Sequence, residues 1–174
     1  MAKNKETKAK FTKDTVPQDF TLSLVLVDAL PVLFFGASAV LIGMIFKSTL
    51  FLIGAMLCLL GGAGKVLWKL IVVLAKKNIW FLFIQMRFLM PAGFLLMLIS
   101  LAVDHAKVSF AGMARAFVSF PSILFFLAGI AGMVMMGVFA KKLDSGSLKA
   151  NWIEQLTNGI AQLCIFLGLL FIYL

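Results

Sequence analysis

One histidine, two cysteines and one tyrosine are all this chain of 174 residues holds of those types. A histidine-based metal centre has almost nothing to be built from. Cys58 and Cys164 each fall within an apolar run. They read as small buried apolar residues, not as a disulfide or a metal pair. Acidic residues are scarce as well: seven against sixteen Lys and Arg, giving a net charge of +9. In a water-soluble protein that excess would point to nucleic acid. No nucleic-acid motif accompanies it, so no nucleic-acid partner is expected. The cations gather instead in an N-terminal tail and at the ends of apolar runs, where they set orientation and meet anionic lipid headgroups. There is no cofactor motif, no nucleophile beside a base and no metal-ligand cluster. No catalytic residue is therefore assigned, and a non-enzymatic role without cofactor or metal is expected. No internal repeat is visible, which argues against an inverted-repeat transporter.

What the chain has in abundance is apolar residues. They make up 63% of it, charged residues only 13%, and mean hydropathy is +1.09. Soluble domains are about half apolar and a quarter charged, and a small soluble fold leaves much of its surface exposed. Lipid is the solvent that removes this conflict. A spanning helix takes about 20 apolar residues. The pattern predicts an all-α membrane protein: a basic tail over 1–20, then one helical domain over 21–174 with about five spans. These cover 21–46, 49–75, 79–103, 121–140 and 151–174. An Ala37-Ser38-Ala39 sequence looks like a signal cleavage site, but the apolar run continues to Phe46 and contains Asp28. Between the third and fourth spans, Phe110, Met113 and Phe117 share one helical face, while Lys107, Ala111 and Arg115 share another. That pattern predicts an amphipathic helix lying on the membrane surface.

The loop cations set the expected orientation. Lys76, Lys77, Lys141, Lys142 and Lys149 fall on the same side as the tail, against Lys47, Lys107 and Arg115 on the other. The positive-inside rule then places the N-terminus in the cytoplasm and the C-terminus outside, in a plasma membrane of bacterial type.

Charge within a span costs about 3 kcal/mol at the helix centre and so needs a reason. At 1.5 Å per residue, Asp28 lies about 10 Å in from the inner end of its helix, Lys69 about 9 Å, Lys65 about 15 Å and Arg87 about 12 Å. All belong to the inner half. An Asp28–Lys65 ion pair is the leading expectation. Lys69, being shallower, is expected to snorkel to the headgroups. If 69–87 instead formed a hairpin at the inner surface, Arg87 would sit at headgroup level. On the last span, Asn151, Gln155, Asn158 and Gln162 advance by four, three and four positions and form one stripe, with Glu154 beside it. Amides in lipid need partners, so the stripe should face the bundle interior, either tying helices together or contacting a ligand. The run Gly61-Gly62-Ala63-Gly64-Lys65 lacks the glycine and hydroxyl spacing of a phosphate loop, with Leu59 and Val66 at those places. Gly129, Gly132 and Gly137 read as a packing face, open to a membrane-protein partner or a second copy.

The ligand-contacting candidates are therefore Asp28, Lys65, Arg87, Glu154, Gln155, Asn158 and Gln162. Together they predict a small transporter component or binding protein for an anionic ligand or lipid headgroup. The alternative is an accessory subunit of a larger membrane complex.

Overall fold

The computed structural model describes residues 20–107, 109–143 and 147–174. Residues 1–19, 108 and 144–146 lie outside the described residues. Seven α-helices account for the fold: α1 (Leu22–Phe46), α2 (Thr49–Ala75), α3 (Trp80–Ile84), α4 (Met86–Val103), α5 (Phe110–Val118), α6 (Ser122–Lys142) and α7 (Leu148–Tyr173). No strand occurs among the described residues. Five segments are long and apolar enough to cross a membrane: α1, α2, α3 and α4 taken together, α6 and α7. Their outward surfaces agree. Leu26, Leu33, Leu74, Phe88, Ile130 and Val134 are exposed, a pattern that fits contact with lipid tails.

Capping fixes where the helices start. Thr21 accepts from the Leu24 amide at 3.3 Å, and Ser48 from the Phe51 amide at 3.1 Å. Each satisfies a donor that the first helical turn leaves without an internal partner. Ser48 also donates to the Asp104 carboxylate, which ties the α1–α2 turn to the end of α4. The third span has the expected extent, as α3 and α4 in sequence. Gln85 joins the two with helical backbone angles, its N–H donating to the Phe81 carbonyl at 3.0 Å and its carbonyl accepting from the Leu89 amide at 2.9 Å. The segment 69–87 is thus the end of one span and the start of the next, not a surface hairpin. Arg87 is exposed, its guanidinium 5.6 Å from the centre of the Phe83 ring.

Main packing joins α4 to α2, α2 to α1, α1 to α7 and α7 to α6. The spans therefore form a row, α4-α2-α1-α7-α6, and no packing of similar extent links its two ends. Small residues set the closest approaches. A Cβ on Gly54 would come within 2.6 Å of the Gly93 carbonyl oxygen, so α2 and α4 meet almost backbone to backbone. Gly129 and Gly132 play the same part against Ile165 and Ala161 of α7. The close contact expected of them is made inside the chain, and of the three glycines only Gly137 has nothing within 4 Å.

Candidate functional site

The row is curved. Leu101 of α4 and Leu169 and Tyr173 of α7 line one cavity, although those helices are not neighbours in the row. At the opposite end of the bundle, Leu82 and Phe83 of α3 and Trp152 of α7 pack on one cluster formed by Phe20, Leu24, Trp68 and Val72. The helices therefore wrap around a shared concave side. It is filled by aromatic residues at the Phe20 end and hollow at the Phe46 end.

The polar residues begin at the aromatic cluster, Lys69 beside Trp68 and Asn151 beside Trp152, and extend from it toward the hollow. Contacts on each helix show which way they point. On α1, Gly36 and Gly43 meet α2, and Phe34 stacks on Phe166 of α7. On α2, Gly62 meets α1, whereas Gly54 and Gly61 meet α4. On α7, Gly168 meets Phe126 of α6, and Ala161 and Ile165 meet its glycines. Advancing about 100° per residue, Asp28, Lys69 and the amide stripe each fall in the crease between the two contact faces of their own helix. Followed through the right-handed winding of helices that alternate in direction, the three creases open on one side of the row. That is the concave side.

At its centre is an ion pair. The Lys69 ammonium is 2.8 Å from the Asp28 carboxylate, and both side chains are at least 95% buried. This corrects the expected Asp28–Lys65 pair. The tight turn at Lys47-Ser48 fixes the hairpin register, which sets Gly36 against Leu59 and Gly43 against Leu52. The same register carries Asp28 to the level of Lys69. Lys65 lies one turn deeper, rotated about 40° toward α4. It is half-buried and makes no ion pair among the described residues. Lys69 does not snorkel: its ammonium turns inward to the carboxylate, 5.4 Å from the centre of the Phe20 ring.

Phe20, which its polar sequence neighbours place in the tail, belongs to the bundle. It is 7% exposed, edge-on to Trp68 at 5.7 Å between ring centres. Trp68 is 1% exposed and donates its indole N–H to the Asn78 side chain at 2.9 Å. These rings shut the ion pair off from the Phe20 end. Trp68→Phe keeps the ring but removes the donor, and leaves Asn78 with one partner fewer. A loss of about 1 kcal/mol is expected, readable as reduced thermal stability in detergent. Full stability would show that the indole N–H does not matter.

The remaining candidates divide. Asn151 and Gln155 are buried, and Glu154, Asn158 and Gln162 half-buried. The Asn151 amide donates to the Ser147 carbonyl at 3.0 Å, a helix-start role. Gln162 reaches Met133 Sδ of α6 at 3.7 Å, so the far end of the stripe touches a neighbouring helix. Arg87 is not drawn into the polar layer. Gln85 is a site residue that sequence reasoning left out. Its side chain donates to the Gly61 carbonyl at 3.1 Å and the Leu82 carbonyl at 3.2 Å, and its Oε1 is buried without a partner among the described residues. The signal was present: an amide inside an apolar run, facing the glycines of α2.

Comparison with family models, characterised proteins and solved structures finds no match. The functional reading rests on the geometry.

Proposed function

We propose that this polytopic membrane protein is a small, non-catalytic transporter component or binding protein for an anionic amphiphile. The expected orientation, N-terminus cytoplasmic in a plasma membrane of bacterial type, would put the polar layer in the cytoplasmic half. The observation that carries the reading is the alignment of Asp28, Lys69 and the amide stripe on one concave side. Intramembrane polar and ionisable groups that face one side of a bundle are candidates for ligand contact by default. Asp28 neutralises Lys69. Lys65, one turn deeper, is the cation the pair leaves over, and Asn158 and Gln162 add amide donors at similar depth.

Octyl phosphate is a suitable probe. Added to purified protein in neutral detergent, it should raise the unfolding temperature, whereas octyl glucoside should not. Lys65→Gln should weaken binding about tenfold or more, the worth of one charge-assisted hydrogen bond, without lowering the stability of the free protein. An equal response to both amphiphiles, or an unchanged response in Lys65→Gln, would overturn the reading.

A second reading has its own observation. The Asp28–Lys69 pair is closed on itself and covered by aromatic rings, as a purely structural lock between helices would be. An accessory subunit fits that, with Gly137 on its open surface as a contact for a partner or a second copy. Crosslinking in native membranes to one stoichiometric partner would favour it.

A further inference from the structure

Lys65, Lys69 and Arg87 are cations placed well inside the spans. Asp28 neutralises Lys69, whereas Lys65 and Arg87 make no ion pair among the described residues. Both stand on the concave side. Gln85 keeps α3 and α4 helical through their junction, so positions along them can be compared at about 100° per residue. Phe83 packs on the aromatic cluster at the Phe20 end, and Leu101 lines the hollow at the Phe46 end. Arg87 is about 40° around the helix from each of them. On α2, Lys65 is about 40° from Gly61, which meets α4, and about 60° from Gly62, which meets α1. It therefore lies in the crease between those two contacts.

The two cations also share a depth. Gly61 packs beside Leu89 and Met90, and Trp68 on Phe83 with ring centres 4.7 Å apart. Lys65 falls between Gly61 and Trp68, and Arg87 between Phe83 and Leu89. They are thus within one helical turn, about 5 Å, of each other along the bundle. Lys65 is half-buried; Arg87 is exposed and lies over the Phe83 ring, 5.6 Å from its centre. The protein offers these cations little negative charge. Residues 76–103 and α6 contain no acidic residue, and Asp28 is held by Lys69. Glu154 is about 20° from Ala161, which meets Gly132, so it is turned to α6.

Charge left over within a span calls for a counter-charge. The guanidinium fork matches phosphate oxygens, and an ammonium adds a point charge beside it. We infer that Lys65 and Arg87 hold one phosphate group between α2 and α4, and that the two cations select a headgroup with two negative charges, a phosphate monoester. This clamp rests on the concave side being the amphiphile site proposed above. It adds Arg87 as a binding residue and names the headgroup.

The test uses the purified full chain in neutral detergent at about pH 8, where a phosphate monoester carries close to two negative charges. Octyl sulfate, with the same chain and a tetrahedral headgroup, carries one. Affinity is read from the rise in unfolding temperature over a concentration series. Octyl phosphate should bind about tenfold more tightly than octyl sulfate. Arg87→Gln should weaken octyl phosphate about tenfold, the worth of one charge-assisted hydrogen bond, and bring the two amphiphiles to near-equal affinity. Arg87→Lys should keep most of the binding, and Arg115→Gln on α5 should change nothing. Because Arg87 is exposed, the free variants should unfold at the wild-type temperature. Octyl phosphate binding that weakens in Lys65→Gln but not in Arg87→Gln would overturn the clamp and leave the amphiphile site standing. Equal affinity of the wild type for sulfate and phosphate would overturn the monoester selectivity. No response to octyl phosphate would overturn clamp and site together. Inorganic phosphate should stabilise far less at equal concentration; an equal effect would overturn the amphiphile as the source of the phosphate.

Discussion

Asp28→Asn is expected to destabilise the protein by about 3–5 kcal/mol, because it leaves Lys69 charged and unpaired in a buried site. The ammonium has its ion-pair partner at 2.8 Å and no other hydrogen-bond partner among the described residues. It cannot relax easily to water, with Phe20 and Trp68 between it and the Phe20 end. Lys69→Met should cost a similar amount by stranding the carboxylate. The double variant Asp28→Leu with Lys69→Met should recover most of the loss. Two apolar side chains of comparable size need no charged partner, and such replacements of a buried ion pair are often neutral. Reversible unfolding in mixed micelles checks this. A double variant no more stable than the single ones would show that the pair is not the source of the cost. The same double variant separates the two functional readings. If it is stable and still responds to octyl phosphate, the ion pair is a structural lock, and ligand contact rests on Lys65 and the amides.

The second large effect is expected at the contact of α2 with α4. Gly54→Leu places a side chain where the Gly93 carbonyl oxygen and the Met97 amide lie within 3 Å of a new Cβ. The atoms in the way are backbone, so no rotamer change relieves the clash, and the helices must separate. Overpacking a tight core costs about 1–3 kcal/mol where side chains can adjust, occasionally more. Here the cost should exceed that range and appear as loss of folded protein after detergent extraction. Gly93→Leu should behave alike, since a Cβ there meets the Gly54 oxygen and Cys58 Sγ. Gly137→Leu is the control. It has open space around it and should fold normally. Equal yields of all three variants would show that the close approach is not required.

Much of the bundle was readable in advance because lipid leaves a chain few choices. Backbone groups in hydrocarbon must be satisfied within the segment, so long apolar runs become helices. Hence the five spans and their ends, and the short helix at 110–118, lie close to where the pattern places them. The polar stripe of α7 was equally legible, because helical spacing fixes a face whatever it meets. The partner of Asp28 was not. Lys65 and Lys69 are on nearly the same face, and choosing between them needed the register of the α1–α2 hairpin. Phe20 was missed for a related reason. Its sequence neighbours are polar, and only a ring on another helix, Trp68, makes its burial favourable. Depth along each helix could be counted, but which helices are neighbours could not.

The sequence by itself thus determined which five segments are long and apolar enough to cross a membrane, and how far along each helix every polar side chain lies. Each depends on one segment's hydrophobicity and length alone. Tertiary structure decided the order of the helices in the row, the Asp28–Lys69 pairing, and the curvature that turns three polar creases to one side. It also decided that α5 lines a cavity together with α1, α2, α4 and α7. Those outcomes depend on how closely two helices approach, which is set by pairs such as Gly54 with Gly93 and Gly129 with Ile165. Such pairs are far apart in sequence, and hydropathy does not distinguish a glycine that meets another helix from one, like Gly137, that does not.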